Sequence, residues 1–457
     1  VRVAAIRAAV PVLALLAALG GALPAAGADG RPIASQWYLQ SSGLADLRQQ
    51  GLDGSGVSIA VIDVAAPASV PELRDAEVTV TDPCTDDSSR SDIAHATAVL
   101  SLLASPEYGW APKASYHVYV RPDTNDPRDA TCAADNSYTV AALINRALDD
   151  GADLISIQIV ESVGTSAGFA VARAELAGVP VIAGVGNDAT QRILTTSRLN
   201  YTVGVGASTK RGTRARFSNR GMPLTVSAPG VDITVRRFGS DGTLSRIERR
   251  EGTSYATPMV TGALALAMQA WPQATADQLV GSMMVSANRT TADYDPQLGW
   301  GVLDARELIA TDPTGYPTES PLSQKNPGDY PTPEQVADYR DGLADPSELT
   351  GDSTYVYRGD DEFICNDPGV RCELGTSPRS APASTSAPAS TPASAPAATS
   401  GSPATGDSPE AAPTAAPTAP ATPDGSGVLI GIASAVGLAA IGTAAALLWR
   451  RRSGGAR

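Results

Sequence analysis

Histidine is scarce in this chain: of 457 residues only two are His, at positions 95 and 117. Any chemistry that needs an imidazole must therefore use His95 or His117. Cysteine is nearly as scarce, with four residues and neither a Cys-x-x-Cys pair nor a Cys/His spacing. That lack excludes the usual zinc frameworks, and no metal ligand set is identified. Basic residues are outnumbered, 34 Lys and Arg against 48 Asp and Glu, for a formal net charge of −14. Such a balance argues against a nucleic-acid partner, which requires a basic face. The acidity itself reads as a solvated surface. No internal repeat occurs outside one low-complexity tract.

Both ends carry targeting signals. Arg2 and Arg7, the apolar run Ala8–Leu23 and Ala26-Gly27-Ala28 describe a secretory signal peptide over residues 1–28. Near the other end, Val428–Trp449 is almost wholly apolar and is followed by Arg450, Arg451 and Arg452. A helix of that length measures roughly 33 Å, enough to cross a hydrocarbon core. The expectation is a single-pass anchor over 427–449, a cytoplasmic tail over 450–457, and everything between leader and anchor outside the membrane. An exported chain with four cysteines suggests two disulfides, with three connectivities open. The short polar loop between Cys365 and Cys372 favours that pair and leaves Cys84 and Cys132 as partners.

Between the ends, buried-strand patterns alternate with helical ones. Val57–Val64, Ser115–Val120, Leu154–Val160 and Val179–Val185 read as strands. Ala94–Leu103, Val140–Asp149, Ala170–Ala177, Thr257–Ala270 and Ala276–Ala287 read as helices. That alternation predicts an α/β fold with a parallel, doubly wound sheet and helices on both faces. The expected domain spans 55–311, after a short extension over 29–54. Residues 312–378, rich in Pro, Asp and Gly, read as an irregular extension. Residues 379–426 are nearly pure Ala, Pro, Ser and Thr and read as a disordered stalk.

Four residues stand where acyl transfer by a serine would need them. Ser254, in Gly252-Thr253-Ser254-Tyr255-Ala256-Thr257-Pro258, precedes a long apolar helix. Backbone N–H groups and the helix dipole there favour developing negative charge. Alone, Ser254 reads equally as a helix N-cap. His95 heads an apolar helical stretch and could be a satisfied core residue. Asp63 ends a buried strand, where a carboxylate is costly unless it is paired, though an Asx turn would also place it there. Asn187 follows the strand-like Val179–Val185, and an Asn beside Gly186 often marks only a turn.

Together the four are far more specific. Asp63, His95 and Ser254 occur in the order Asp…His…Ser, and the chain resembles the subtilase family over roughly residues 36–311. The resemblance rests on VSIAVIDV at Asp63, HATAV at His95, GVGN at Asn187 and GTSYATPMVTGALAL at Ser254. RFSNRG (216–221), SAPGVDI (227–233) and LGWGVLDARELI (298–309) support it. It implies a serine endopeptidase with Asp63 as orienter, His95 as general base, Ser254 as nucleophile and Asn187 as oxyanion donor, acting on polypeptide. Within the family the chain is most similar to the mycosins of actinobacterial type VII secretion systems, through its signal peptide, QWYL segment, cysteine pair, Pro-rich tail and anchor. That similarity implies association with a secretion membrane complex and an N-terminal extension able to wrap the domain. Many subtilases carry calcium, but the sequence identifies no ligands for it and no other cofactor.

Three departures from the pattern stand out. Ala96 replaces the Gly usual after the His, and Asp63-Val64-Ala65-Ala66 lacks the Gly usual two residues after the Asp. In the groove-forming run, Ser156 is followed by Gln158 and Val160, where Ser and Gly are usual and a substrate strand would lie. Two other classes follow from these features. One is a catalytically impaired subtilase serving as a structural component. The other, suggested by stalk and anchor alone, is a wall-binding module, which predicts no Asp–His–Ser constellation.

Overall fold

Strands that are apolar on both sides must be covered on both sides, so a parallel sheet wrapped by helices is the expected outcome. The computed structural model describes residues 31–82, 88–121, 138–289, 291, 293–341, 358–359 and 362–363. The expected leader 1–28, all four cysteines with their pairing, the stalk 379–426, the span 427–449 and the tail 450–457 lie outside the described residues. Among the described residues no helix is long and apolar enough to cross a membrane.

Seven strands form one sheet: β1 (Ser58–Asp63), β2 (Glu77–Thr81), β3 (Ser115–Val120), β4 (Leu154–Ile157), β5 (Val181–Gly184), β6 (Thr202–Ser208) and β7 (Val226–Pro229). Their order is β2-β3-β1-β4-β5-β6-β7, and every neighbouring pair is parallel. The helices are α1 (Tyr38–Ser41), α2 (Leu44–Gln49), α3 (Arg90–Ala104), α4 (Val140–Asp149), α5 (Thr165–Leu176), α6 (Thr253–Ala270), α7 (Ala276–Ser286), α8 (Ala305–Ala310) and α9 (Pro333–Asp341). A separate antiparallel ribbon pairs β8 (Ile233–Arg237) with β9 (Arg246–Arg250).

The period-2 geometry of β1 sorts its side chains between two cores. Ile59 and Val61 join the core built with α3, α6 and α7. Ala60 and Ile62 join the core built with α4 and α5. The doubly wound arrangement is therefore present, with helices on both faces. Local signals set the helix starts: Ser89 caps α3, Thr139 caps α4, and Thr275 with Gln278 forms a capping box on α7.

Two expectations change. The run Leu154–Val160 is strand only to Ile157; Gln158 keeps one further ladder bond, to the Ile62 carbonyl, and the chain then leaves the strand. The extension beginning at 312, expected to be irregular, carries α9 and packs on the domain over 312–341. Leu322, Val336 and Tyr339 are buried, and the Phe169 and Tyr339 rings lie 6.4 Å apart. Lys325 is half-buried and donates to the Ser197 and Thr202 carbonyls, the latter contact very short, and to Thr202 Oγ1. The extension before β1 is docked as well. Ile33, Tyr38, Leu44 and Leu47 are buried, Trp37 Nε1 donates to the Val231 carbonyl at 3.0 Å, and Gln36 bonds the backbone of Thr234 at both amide ends.

Candidate active site

In an open parallel sheet, function gathers at the C-terminal strand ends where the order reverses. Here β1 is that strand, with β3 on one side and β4 on the other, and Asp63 is its last residue. The Asp63 side chain is 1% exposed, so its carboxylate needs partners. Its Oδ1 accepts from the Val64 N–H at 2.8 Å and from His95 Nδ1 at 3.1 Å. Because a carboxylate only accepts, that second bond fixes the imidazole tautomer with Nε2 as acceptor. His95 Nε2 lies 2.9 Å from Ser254 Oγ. Asp63, His95 and Ser254 thus come from β1, α3 and α6, and form one continuous hydrogen-bonded line.

The N-cap reading of Ser254 falls away. The cap position of α6 is Gly252, with no side-chain bond, and Ser254 sits inside the first turn with its hydroxyl turned to His95. The cap is supplied from elsewhere: Asn187 Oδ1 accepts from the Thr253 N–H at 2.9 Å and from Thr253 Oγ1 at 3.1 Å. That contact anchors Asn187 at the start of the helix carrying Ser254. The loop bearing Asn187 is held in turn by Asn219. Asn219 Oδ1 accepts from the N–H groups of Asp188 and Thr190, both at 3.0 Å, and its Nδ2 donates to the Val185 carbonyl at 2.9 Å. Neither Asn219 nor Thr253 was singled out from sequence, although both lie in motif segments.

The missing glycine after Asp63 does not prevent the turn. Ala65 and Ala68 are fully buried, and the Ala68 N–H donates to Thr97 Oγ1 at 2.8 Å, tying that loop to α3 two residues past His95. Ala96, in place of Gly, is buried in the helix. His117 is elsewhere, in β3: its ring stacks on Tyr119 with centroids 4.1 Å apart, and Nε2 meets Thr81 Oγ1 at 2.8 Å.

A cleft of about 360 Å³ opens beside Asp63 and His95, bounded by Asp92, Gln158, Val160, Arg237, Arg250 and Tyr255 among others. No residue of 31–54 lines it. The groove expectation needs correcting for Ser156, which lies below the cleft, fully buried and 2.8 Å from Thr261 Oγ1. Gln158 borders the cleft yet is only 4% exposed, with Nε2 2.7 Å from Ser156 Oγ. Val160, 49% exposed, is the surface residue of the three.

The electrostatics of His95 oppose one another. Burial disfavours its cation, but the Asp63 charge, the Asp63 hydrogen bond and the Asp92 charge together outweigh burial and raise its pKa above the ordinary value. Among the described residues no cluster of three or more His, Cys, Asp or Glu could hold a metal ion.

Comparison with known proteins agrees with this geometry. Residues 54–301 match the Subtilase family, Peptidase S8. An extracellular serine proteinase of Thermus sp. (strain Rt41A) is 30% identical over 257 residues, covering 54% of this chain and 59% of that protein. Mycosin-4 of Mycobacterium tuberculosis is 26% identical over 321 residues, covering 60% of this chain and 69% of that protein. Fervidolysin from Fervidobacterium pennivorans, a keratinolytic enzyme related to subtilisin, superposes with a TM-score of 0.51 at 22% identity, covering 62% of this chain and 46% of that one. At that identity the likeness concerns the fold. The chain spans between 59% and 65% of the length of the first curated relatives it matches.

Proposed function

The chain belongs to the subtilase family, and on that premise we propose that it is a serine endopeptidase acting on polypeptide through an acyl-enzyme. The observation that carries the reading is the unbroken line Asp63 Oδ1–His95 Nδ1, His95 Nε2–Ser254 Oγ, at 3.1 and 2.9 Å. His95 takes the Ser254 proton as Oγ attacks the peptide carbonyl, and returns it to the leaving amine. Asp63 stays ionised and holds the imidazole. The developing oxyanion is met by Asn187 Nδ2 and the Ser254 N–H at the start of α6, where the helix dipole adds to the field. Water then cleaves the acyl-enzyme with His95 again as base.

The finer setting belongs to the same proposal. Similarity to Mycosin-4, together with the apolar run Val428–Trp449 and the leader-like residues 1–28, supports an exported, single-pass, membrane-anchored enzyme associated with type VII secretion. The domain then lies outside the membrane, and Val160 belongs to the substrate side of the cleft.

Intact-mass labelling of the full-length chain with a fluorophosphonate tests the core of the reading, with Ser254→Ala as control. One adduct on the wild type and none on the variant is the expected result. A folded wild type that takes no adduct would overturn it in favour of a structural, catalytically impaired subtilase.

A further inference from the structure

Two buried acceptors beside the proposed active site lack donors. Both bonds to Asp63 fall on Oδ1, and its Oδ2 is buried without a partner. Gln158 Oε1 is likewise buried without a partner. The two residues are neighbours by register. Ile62 pairs with Ile157 across β1 and β4, the Gln158 N–H extends that ladder to the Ile62 carbonyl at 3.0 Å, and Asp63 and Gln158 come next on their strands. Both border the same cleft. Residues side by side on parallel strands turn their side chains to the same face. Here that face is the one covered by α6, which Ser156 meets through Thr261.

Resting on the endopeptidase reading, we infer that Gln158 is a positioning residue whose amide nitrogen donates to Asp63 Oδ2 and so holds the carboxylate that holds His95. A half-turn of the amide achieves this. The Ser156 hydroxyl both donates and accepts, so its 2.7 Å contact serves either amide end, with Thr261 Oγ1 then donating to Ser156 Oγ instead of to the Thr257 carbonyl. With Oε1 taking the Ser156 proton, Nε2 stands where Oε1 stood, on the side of Asp63. One rotation gives both orphaned acceptors a donor, in keeping with the rarity of buried polar atoms left unpaired. The role differs from that of a groove wall, which would act on substrate affinity.

The experiment compares wild type, Gln158→Met and Gln158→Glu in the full-length chain. Met keeps the length and removes the donor; Glu is nearly isosteric and removes the donor once ionised. Rates of fluorophosphonate labelling and of peptide cleavage are followed against pH. The downfield Nδ1–H resonance of His95 is titrated in a Ser254→Ala background. His95 faces Asp63, Asp92 and Tyr255, none of which these substitutions alter. The expected result is a fall of about tenfold or more in kcat or labelling rate with KM little changed. The His95 midpoint should rise, because a carboxylate stripped of a donor holds the imidazolium more strongly. An unchanged His95 midpoint in Gln158→Met, or an effect confined to KM, overturns the assignment. Should Gln158→Met fail to fold, the equally uncharged Gln158→Leu takes its place, because the charge added by Gln158→Glu would itself raise the His95 midpoint. Absence of labelling in the wild type would sink the endopeptidase reading instead, and the His95 titration in the Ser254→Ala background would still decide the contact to Asp63.

Discussion

Single side chains at this site carry two jobs each, which makes their substitutions informative. Asn187 caps α6 through Oδ1 and, on the proposed function, uses Nδ2 for the oxyanion. Asn187→Asp keeps the acceptor and loses the donor, so thermal stability should hold while turnover falls about 10²–10³-fold. Asn187→Ala should show the same loss of rate together with about 1 kcal/mol of destabilisation from the missing cap. If the Asp variant retains the wild-type rate, Asn187 is only a cap. For His95, a raised pKa means that the free base appears late on the pH scale. Labelling of Ser254 should therefore climb through a midpoint above about 6.5, the ordinary histidine value. The linkage to folding has the opposite sense. The His95–Asp63 pairing contributes its full stability below that ordinary value and loses it as pH rises through the folded midpoint. A rate profile with its midpoint at or below the ordinary value would contradict both statements.

At the scale of elements, the placement of Ser254 depends on how closely α6 lies against its neighbours. Gly262 is a point of close approach: a methyl there would come 2.2 Å from Trp110 Cβ, and Trp110 is fully buried. Alanine is the better helix former by about 1 kcal/mol, yet overpacking a rigid core costs about 1–3 kcal/mol. The overlap should prevail. Gly262→Ala should lower Tm by several degrees in thermal unfolding and slow labelling of Ser254, whereas an unchanged or higher Tm would show that Trp110 yields. The elements themselves were largely readable. Val140–Asp149 is helical at the residues expected, and β1 differs from the expected run by one residue at each end. Asp63, His95 and Ser254 were readable because each stands at a strand end or early in a helix, inside a motif with its own spacing. Gln158 was readable only as a departure, since alternation places it on the same face as Ser156 but says nothing of the layer beneath. The docking of the segment 312–341 was not readable for a related reason. Its sequence is polar and broken by Pro and Gly, and what docks it is a few buried side chains and Lys325 bonding carbonyls more than a hundred residues away.

Across the described molecule, that segment joins helices of different layers and brings a pH dependence with it. Glu175 on α5 and Asp277 on α7 approach each other, with Ser320 of the extension beside both carboxyls. Burial, then the charge of Asp277, pushes the Glu175 carboxyl up to about 8, although Ser320 pulls the other way. An acid whose folded pKa lies above its unfolded value binds a proton on folding. Its penalty on stability is therefore absent below the unfolded value near 4.3, grows as pH rises, and is complete only above about 8. The direction is opposite to that of a carboxylate held in an ion pair. Glu175→Gln keeps the shape and the hydrogen-bonding capacity while removing the titration. It should leave Tm nearly unchanged at pH values below about 4.3, where both side chains are neutral, and raise it above pH 8, where the wild type must ionise against Asp277. Thermal unfolding across that range reads the difference directly. If the two Tm curves run parallel, Glu175 is not protonated in the folded state, and the junction of α5, α7 and the 312–341 segment is held by hydrogen bonds and apolar packing without a shared proton.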